Sequence, residues 1–379
     1  MTVQEVLQLN LIEKQFQESK QFFKTHQTKD IKFRKQQLKL LSKSIKDHET
    51  ELLESLKIDL GKGSVEAYAT EIGILLKSIK TARKELKNWA KTKQVDTPLF
   101  MFPSKSYIKP EPYGTILIIG PFNYPVQLLF EPLIGAIAAG NNAIIKPSEL
   151  TPHVAQVVRK VIEDVFASDF VAVVEGGVEE TQTLINLPFD YIFFTGSENV
   201  GRIVYEAASK NLVPVTLELG GKSPVIVDET ANIKVASDRI SFGKFTNAGQ
   251  TCVAPDYILV NRKVKNELIQ AFKQSIEEFY GKNIQNSPDF GRIVNTKHFN
   301  RLSELLAIHR NEVIFGGHTD ENEQYIEPTI LDGITPQSKI MEEEIFGPLL
   351  PIIVYDDFNE AIDIIQSKSK PLSLSLIHI

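Results

Sequence analysis

Cys252 is the single cysteine of the chain, and its surroundings suit a reactive thiol. It ends the stretch 247–252 (NAGQTC), whose small and polar residues predict a turn between a helix and a strand. A thiol in a polar, flexible turn can face a substrate and ionise, and the thiolate is the nucleophilic form. A lone cysteine can equally be a small buried hydrophobe, so the local sequence leaves both interpretations open.

Glu218 lies near the end of the apolar run 213–219 (VPVTLEL), directly before two glycines. A carboxylate buried at a strand end is costly unless it is paired or protonated. Such burial would make Glu218 a general base that works near neutral pH. The alternative is a strand-end carboxylate that the following glycines leave exposed to solvent.

Two loops that follow apolar runs offer further polar groups. In the loop 120–125 (GPFNYP), the Asn123 amide could donate to a developing oxyanion, or it could be an ordinary turn residue. In the loop 146–149 (KPSE), Lys146 and Glu149 could hold ribose hydroxyls or phosphate. They could equally form a surface turn before the next helix.

A third loop, Thr195-Gly196-Ser197, joins an apolar run to a helix-length segment, and Gly201 follows five residues after the first glycine. A pyrophosphate could meet a helix N-terminus there, because unpaired backbone N–H groups point out of the first turn. The spacing does not match G-x-G-x-x-G, so as a nucleotide signature the loop is weak.

The composition excludes several classes of protein. Lys and Arg total 42 against 48 Asp and Glu, and a net charge of −6 gives no electrostatic case for a nucleic-acid partner. One cysteine excludes an intrachain disulfide, and the 7 histidines show no ligand spacing, so we expect no metal site. No run approaches the roughly 18 apolar residues of a membrane span, and no secretory signal is present, which predicts a cytoplasmic protein.

The elements that position these residues follow from hydrophobic periodicity. Residues 31–60 and 65–93 place apolar positions three and four apart, which predicts N-terminal helices. After Gly114 short apolar runs alternate with helix-length segments, as is typical of βαβ units and a parallel sheet. A second alternation begins near Pro224 and predicts a second α/β domain.

The order of the motifs resembles one family. GPFNYP, KPSE, FTGS, LELGGK, GQTC and EEIFGP follow one another as they do in the aldehyde dehydrogenase superfamily. The stretches 193–224 and 243–260 are most similar to its class 3 branch, which acts on fatty and aromatic aldehydes. The resemblance extends from about Phe16 to about Leu372.

The resemblance implies a catalytic role for three of these residues. Cys252 would be the nucleophile that forms a thiohemiacetal and then a thioester, and Glu218 would activate the water that hydrolyses it. Asn123 and the backbone N–H of Cys252 would form the oxyanion hole.

The resemblance also implies a set of cofactor-binding residues. Lys146 and Glu149 would hold the adenosine ribose, and Glu344 would bind the nicotinamide ribose while Phe346 packs near the ring. The residues that would approach the phosphates are Thr195, Gly196, Ser197 and Gly201.

The implied fold is α/β, with a Rossmann-like dinucleotide-binding domain, an α/β catalytic domain and a β-ribbon oligomerisation arm. We expect residues 1–217 to form N-terminal helices and the dinucleotide-binding domain, with the ribbon at about 97–113. Residues 218–373 would form the catalytic domain, and the full-length protein would be a homodimer.

The resemblance implies that the chain stops early, since family members continue for several dozen residues past the segment 370–374. We therefore expect a truncated catalytic domain whose own activity is in doubt. The last six residues, 374–379 (LSLIHI), equal one reading frame of an adapter used in sequencing libraries, which predicts a non-native tail. Some class 3 relatives carry a C-terminal membrane anchor, so peripheral membrane association stays open.

The leading interpretation is NAD(P)-dependent oxidation of a medium- or long-chain aliphatic, aromatic or terpenoid aldehyde to its acid. A CoA-acylating enzyme is one alternative, although that branch generally lacks a glutamate at the position of Glu218. An inactive fragment or a binding protein on the same scaffold is another. Glu149 favours NAD, because its charge would repel a 2′-phosphate, and NADP stays open because class 3 members often accept both.

Overall fold

The structure, a computed structural model, describes Val3–Ile377, with side chains from Leu9 onward. The described chain forms two units. Unit 1 comprises the chain up to Ser55 together with Tyr68–Glu218, and unit 2 comprises Leu56–Ala67 together with the chain from Leu219.

The α-helices are α1 (Val3–Lys24), α2 (Ile31–Asp47), α3 (Glu49–Leu60), α4 (Ser64–Ala67), α5 (Gly73–Trp89), α6 (Gln127–Ala139), α7 (Pro152–Glu163), α8 (Val178–Asn186), α9 (Glu198–Ser209), α10 (Ile233–Phe245), α11 (Lys265–Tyr280), α12 (Thr296–Ile308) and α13 (Phe358–Gln366). The strands are β1 (Lys93–Val95), β2 (Ser106–Ile108), β3 (Thr115–Ile119), β4 (Asn142–Lys146), β5 (Val171–Val173), β6 (Tyr191–Gly196), β7 (Val215–Leu219), β8 (Pro224–Val227), β9 (Tyr257–Asn261), β10 (Val313–Phe315), β11 (Thr319–Asp320), β12 (Tyr325–Ile326), β13 (Thr329–Leu331), β14 (Leu349–Tyr355) and β15 (Ser375–Ile377).

Unit 1 contains a five-stranded sheet in the order β5-β4-β3-β6-β7. Strand β3 pairs in parallel with both β4 and β6, and Ile119 lies opposite Lys146 on one side and Phe194 on the other. Every residue of β3 and β4 is buried, as expected for apolar runs covered on both faces. The predicted parallel sheet is confirmed.

Polar residues flank both ends of α2. Asp30 caps α2, since its carboxylate accepts the backbone N–H of Lys32 at 3.0 Å. The stretch 31–60 divides into α2 and α3 at His48, whose ring contacts Glu51 at 2.9 Å and Asp164, the residue that follows α7, at 2.7 Å. These contacts tie the junction of the two helices to the end of a helix that lies more than a hundred residues later in the chain.

Unit 2 contains a six-stranded sheet in the order β10-β13-β14-β9-β8-β15. All its pairings are parallel except that of β10 with β13 at one edge. Strand β15 lies in the predicted tail 374–379 and pairs with β8, with Ser375 opposite Val225. Residues 378 and 379 lie outside the described part of the chain, and the origin of the tail stays a prediction.

The division into units differs from the predicted boundary at 217/218. The last residue of unit 1 is Glu218, one position later than predicted. The segment Leu56–Ala67 was expected in the first domain, but it belongs to unit 2. The physical reason is packing: Leu56 and Leu60 are fully buried, and the Leu60 carbonyl accepts the backbone N–H of Arg292 at 2.8 Å.

The ribbon expected at about 97–113 is present in unit 1, but its first strand lies earlier. Strands β1 and β2 pair antiparallel, with Gln94 opposite Tyr107. Pro98 and Pro103 both lie in the connection between the strands, because proline cannot donate to the ladder. The connection exposes large apolar side chains, among them Leu99, Phe100 and Phe102.

Within Val3–Ile377 none of the helices is both long enough and apolar enough to cross a bilayer.

Candidate active site

Three of the predicted site loops lie at the carboxyl ends of neighbouring strands in the unit 1 sheet. The strands β3, β4 and β6 are parallel neighbours, so their carboxyl ends lie together. The chain runs outward from β3 to β4 and β5, and then returns to place β6 on the other side of β3. Open α/β sheets bind ligands at such a reversal of strand order. Asn123 follows β3 and Ser197 follows β6, so the two loops flank this position.

Asn123 is buried, at 3% exposure, in the loop between β3 and α6. Gly120 ends the strand, and its backbone N–H donates to the Lys146 carbonyl at 3.0 Å. A Cβ added to Gly120 would lie 2.9 Å from the side chain of Leu129 in α6. Glycine therefore allows the strand to end close against the helix, and the loop that presents Asn123 begins at this close contact.

Lys146 and Glu149, which sequence analysis placed at the ribose, lie in direct contact. The Lys146 ammonium donates to the Glu149 carboxylate at 2.7 Å. The Lys146 side chain is 2% exposed, whereas that of Glu149 is 46% exposed. A buried cation thus holds a carboxylate at the surface, where it can accept hydrogen bonds from hydroxyl groups.

The loop Thr195-Gly196-Ser197 leads directly into α9. Ser197 caps the helix, as its Oγ accepts the backbone N–H of Val200 at 3.4 Å. The first turn of the helix from Glu198 onward is exposed, while Gly201 is buried within it. An exposed helix N-terminus at the reversal of strand order is suited to bind an anion.

The structure decides between the two interpretations that the local sequence left open for Glu218. It lies in β7, the strand at the edge of the unit 1 sheet, and its side chain is exposed. The structure therefore supports the interpretation of Glu218 as a strand-end carboxylate that is exposed to solvent. The reason is its place in an edge strand whose other residues are only partly buried.

Cys252 follows a loop with unusual backbone geometry in unit 2. After α10 the chain passes through three successive left-handed residues, Asn247 (φ 53°), Ala248 (φ 51°) and Gly249 (φ 78°). Such conformations are strained for residues other than glycine and persist only where surrounding contacts hold them. Cys252 lies partly exposed in the turn that comes next, and its thiol forms no disulfide.

Gln250 supplies contacts that hold this loop, and sequence analysis gave it no role. Its fully buried amide donates to the carbonyls of Asn247 at 3.1 Å and Arg292 at 2.9 Å. The amide oxygen accepts the backbone N–H of Val294 at 3.0 Å. The signal was present in the GQTC motif, where a glutamine flanked by small residues precedes the thiol.

The motif 342–348 (EEEIFGP) lies against the loop that leads to Cys252. A Cβ added to Gly249 would overlap the carbonyl of Gly347, so the two backbones are in close contact. A Cβ on Gly220 would likewise overlap the Glu344 carboxylate, which accepts the backbone N–H of Gly221. Unit 2 therefore brings together three motifs that the sequence separates by up to about 125 residues.

Buried charges hold the backbone around Glu344. The Lys222 ammonium lies 2.5 Å from Asp256 and donates to the Glu343 carbonyl at 2.8 Å. The other Asp256 oxygen accepts the backbone N–H of Ile345 at 2.9 Å. Together these groups fix the segment that presents Glu344.

The same surroundings change the protonation of two groups. Burial, with the nearby charge of Asp256, raises the pKa of Glu344 to about 7, against the opposing effect of the Gly221 N–H, Lys244 and Lys222. Burial lowers the pKa of the fully buried Lys244 to about 8. Sequence analysis assigned no role to Lys222, Lys244 or Asp256, because their charges meet only in the folded chain.

Nearly the whole chain matches one family. Residues 4–376 match the model of the aldehyde dehydrogenase family. This chain belongs to the aldehyde dehydrogenase family. It is therefore an enzyme that oxidises aldehydes, and the predicted family and fold class are confirmed.

Individual relatives agree with this assignment. The chain is 69% identical to the 4,4′-diaponeurosporen-aldehyde dehydrogenase of Staphylococcus aureus over 97% of its own length and 80% of that protein. It is 43% identical to aldehyde dehydrogenase family 3 member A2 of Macaca fascicularis, over 96% of this chain and 74% of that one. The solved structure titled "Substrate bound state of Staphylococcus Aureus AldH" superposes with a TM-score of 0.95 at 69% identity, covering 97% of this chain and 80% of the other.

Proposed function

We propose that this aldehyde dehydrogenase oxidises a long-chain aliphatic or terpenoid aldehyde to its carboxylic acid, using NAD and a covalent intermediate on Cys252. The observation that supports the chemistry best is the partly exposed Cys252 thiol at the end of a strained loop held by Gln250. The substrate class follows the S. aureus relative, whose name specifies a diaponeurosporen aldehyde and which shares 69% of aligned residues.

In the first step the Cys252 thiolate attacks the carbonyl carbon, forming a C–S bond as the carbonyl electron pair moves to oxygen. The Asn123 amide and the backbone N–H of Cys252 donate to the resulting oxyanion. Removing one such donor typically slows a reaction about 10²–10³-fold. Both donors are neutral, so they stabilise charge as it develops without needing to change protonation.

The cofactor residues fit a dinucleotide. Glu149 offers a surface carboxylate to ribose hydroxyls, and the exposed start of α9 offers backbone N–H groups to phosphates. Glu344, which we place at the second ribose, offers a carboxylate that the backbone N–H of Gly221 orients. When bound, NAD would supply the acceptor for the hydride that leaves the substrate carbon as the oxyanion re-forms the carbonyl, which would leave a thioester on Cys252.

In the last step Glu218 takes a proton from water, and the oxygen attacks the acyl carbon as the C–S bond breaks. The acid leaves and the Cys252 thiolate is restored. The exposure of Glu218 supports this role, because water reaches the carboxylate directly. A reactive thiol of this kind persists in a reducing compartment, so we also propose a cytoplasmic location.

We further propose that the ribbon joins two copies into a homodimer. Its Leu99, Phe100 and Phe102 side chains are exposed to solvent in a single copy of the chain. Exposed apolar surface of this kind is typical of protein–protein interfaces. Replacing Leu99 and Phe100 by Ser should convert a dimer to monomer, as measured by light scattering after size exclusion. A monomer in the unsubstituted protein would contradict the proposal.

The proposed reaction is tested by following NADH formation with decanal and with a terpenoid aldehyde. Steady turnover with matching acid production is expected, and Cys252→Ala should remove it. With Glu218→Gln we expect one rapid equivalent of NADH followed by slow turnover, because only hydrolysis of the thioester is impaired. Turnover of Cys252→Ala near the parent rate would refute the proposed nucleophile, and loss of the first equivalent in Glu218→Gln would refute the proposed base.

A further inference from the structure

Glu71 is a fully buried carboxylate to which the proposed reaction assigns no role. It lies in the π-helical turn Tyr68–Ile72, directly before α5. Its Oε2 accepts the backbone N–H of Val126 at 2.9 Å and that of Gln127 at 3.1 Å. A carboxylate distant in sequence therefore contacts the start of α6.

These hydrogen bonds supply what the start of α6 lacks. The first N–H groups of a helix have no partner within the helix, and the residue at the cap position here is Val126, whose side chain cannot accept. A carboxylate also interacts favourably with the positive end of the helix dipole. Hydrogen bonds from N–H groups to an ionised acceptor are stronger than neutral ones, so Glu71 holds the helix start firmly.

Asn123 lies only three residues before Val126, in a loop anchored at both ends. At one end the Gly120 N–H donates to the Lys146 carbonyl at 3.0 Å, within the edge of the sheet. At the other end the Leu128 N–H donates to the Tyr124 carbonyl at 2.9 Å, which joins the loop to α6. The position of the Asn123 amide therefore depends on where α6 begins.

We propose that Glu71 is a positioning residue, which fixes the start of α6 and thereby holds the Asn123 amide where it donates to the oxyanion. The inference rests on the role proposed above for Asn123. Displacement of a group by about 1 Å can slow a reaction about 10²-fold, so a small shift of the helix start has a measurable effect.

The first test compares single variants. Glu71→Ala should lower kcat for aldehyde oxidation at least tenfold, whereas Glu71→Gln, which keeps an acceptor oxygen, should recover most of it. Alkylation of Cys252 by iodoacetamide should proceed at the parent rate in both, because this displacement develops no oxyanion. Asp30→Ala is the matched control: it removes the cap of α2 in the same unit and should lower the melting temperature without lowering kcat.

The second test is a double-mutant cycle. If Glu71 acts through Asn123, Glu71→Ala should lower kcat little further in an Asn123→Ala background. Should Glu71→Ala fail to fold, Glu71→Asp, whose shorter side chain cannot reach both N–H groups, replaces it in the cycle.

The outcomes separate the inference from the role of Asn123. A kcat that Glu71→Ala and Glu71→Asp leave unchanged, while Asn123→Ala lowers it, would overturn the inference alone. The inference would also be overturned if the double variant lowered kcat by the product of the two single-variant factors, since the residues would then act independently. An unchanged kcat in Asn123→Ala would remove the proposed oxyanion role, and with it the inference.

Discussion

At the scale of single residues, the proposed cofactor site contains two glutamates in different surroundings. Glu149 is held at the surface by the buried ammonium of Lys146. Glu344 is largely buried against Gly220 and Gly221, near the charge of Asp256. We expect Glu149 to discriminate between NAD and NADP. We expect Glu344 to make the affinity for NAD depend on pH.

Replacing Glu149 by Gln should improve the use of NADP. The substitution removes a charge that would repel the 2′-phosphate and leaves the Lys146 ammonium without its carboxylate partner. A repulsion of about 1–2 kcal/mol between exposed charges corresponds to about a tenfold change. Initial rates over a range of NAD and NADP concentrations should show kcat/KM for NADP rising about tenfold. An unchanged preference would place the 2′ position away from Glu149.

The affinity for NAD should fall as the pH falls through about 7. The pKa of Glu344 is raised to about 7. Above that pH the carboxylate is ionised and accepts hydrogen bonds from ribose hydroxyls, and below it the group is protonated. The KM for NAD should therefore be low at pH 8 and should rise towards pH 6. In Glu344→Gln the KM should be high and nearly constant over this range. A KM that still rises with acid in the variant would assign the titration to another group.

At the scale of elements, the position of Cys252 depends on the close contact between two loops. The loop that follows α10 contains three left-handed residues, and the last of them, Gly249, lies against Gly347. Gln250 then joins the same loop to the chain at Arg292 and Val294. Strain in the loop is thus compensated by backbone contact and buried hydrogen bonds.

Gly249→Ala should lower activity, because it displaces the loop before Cys252 as well as straining the backbone at position 249. A non-glycine residue at positive φ costs about 1–2 kcal/mol, and here the added Cβ would also overlap the Gly347 carbonyl. Gly333→Ala is the matched control, because Gly333 has φ 85° with nothing within 4 Å of an added Cβ.

Both variants should lose stability in a denaturant titration. Only Gly249→Ala should lower kcat, by about tenfold or more, since only there is the loop before Cys252 displaced. Equal kcat values for the two variants would show that the contact with Gly347 does not position the thiol.

At the scale of the whole molecule, the chain passes from one unit to the other after Ser55, Ala67 and Glu218. Helix α3 spans the first of these points, so its residues are divided between the two units. Leu52 and Leu60 are both fully buried in this helix, one in each unit. The pair allows the units to be perturbed separately by the same substitution.

Leu60→Ala should loosen unit 2, and Leu52→Ala should loosen unit 1. Each truncation of a buried leucine should destabilise its unit by about 2–5 kcal/mol. Hydrogen exchange should show faster exchange near Arg292 for Leu60→Ala, and within the β3–β6 sheet for Leu52→Ala. The same exchange pattern in both variants would mean that the units unfold as one.

The local sequence was sufficient for much of this molecule. The alternation of apolar runs and helix-length segments predicted the parallel sheet of unit 1 and a second α/β domain, because a strand buried on both faces needs a continuous apolar run. The order of short motifs identified the family, and the catalytic roles that it implies for Cys252, Glu218 and Asn123 stay predictions. It also located the loops after β3, β4 and β6, since a loop follows its strand in sequence as well as in space.

The tertiary structure decided what depends on contacts between distant residues. Lys222 meets Glu343 across 121 positions, and Glu71 meets Val126 across 55, and neither pairing leaves a periodic signal in the chain. The exposure of Glu218 depends on β7 lying at the edge of its sheet, and the assignment of Leu56–Ala67 depends on packing near Arg292. Periodicity predicts which face of a helix or strand is buried. Only the folded chain determines which other elements cover that face and which charged side chains meet.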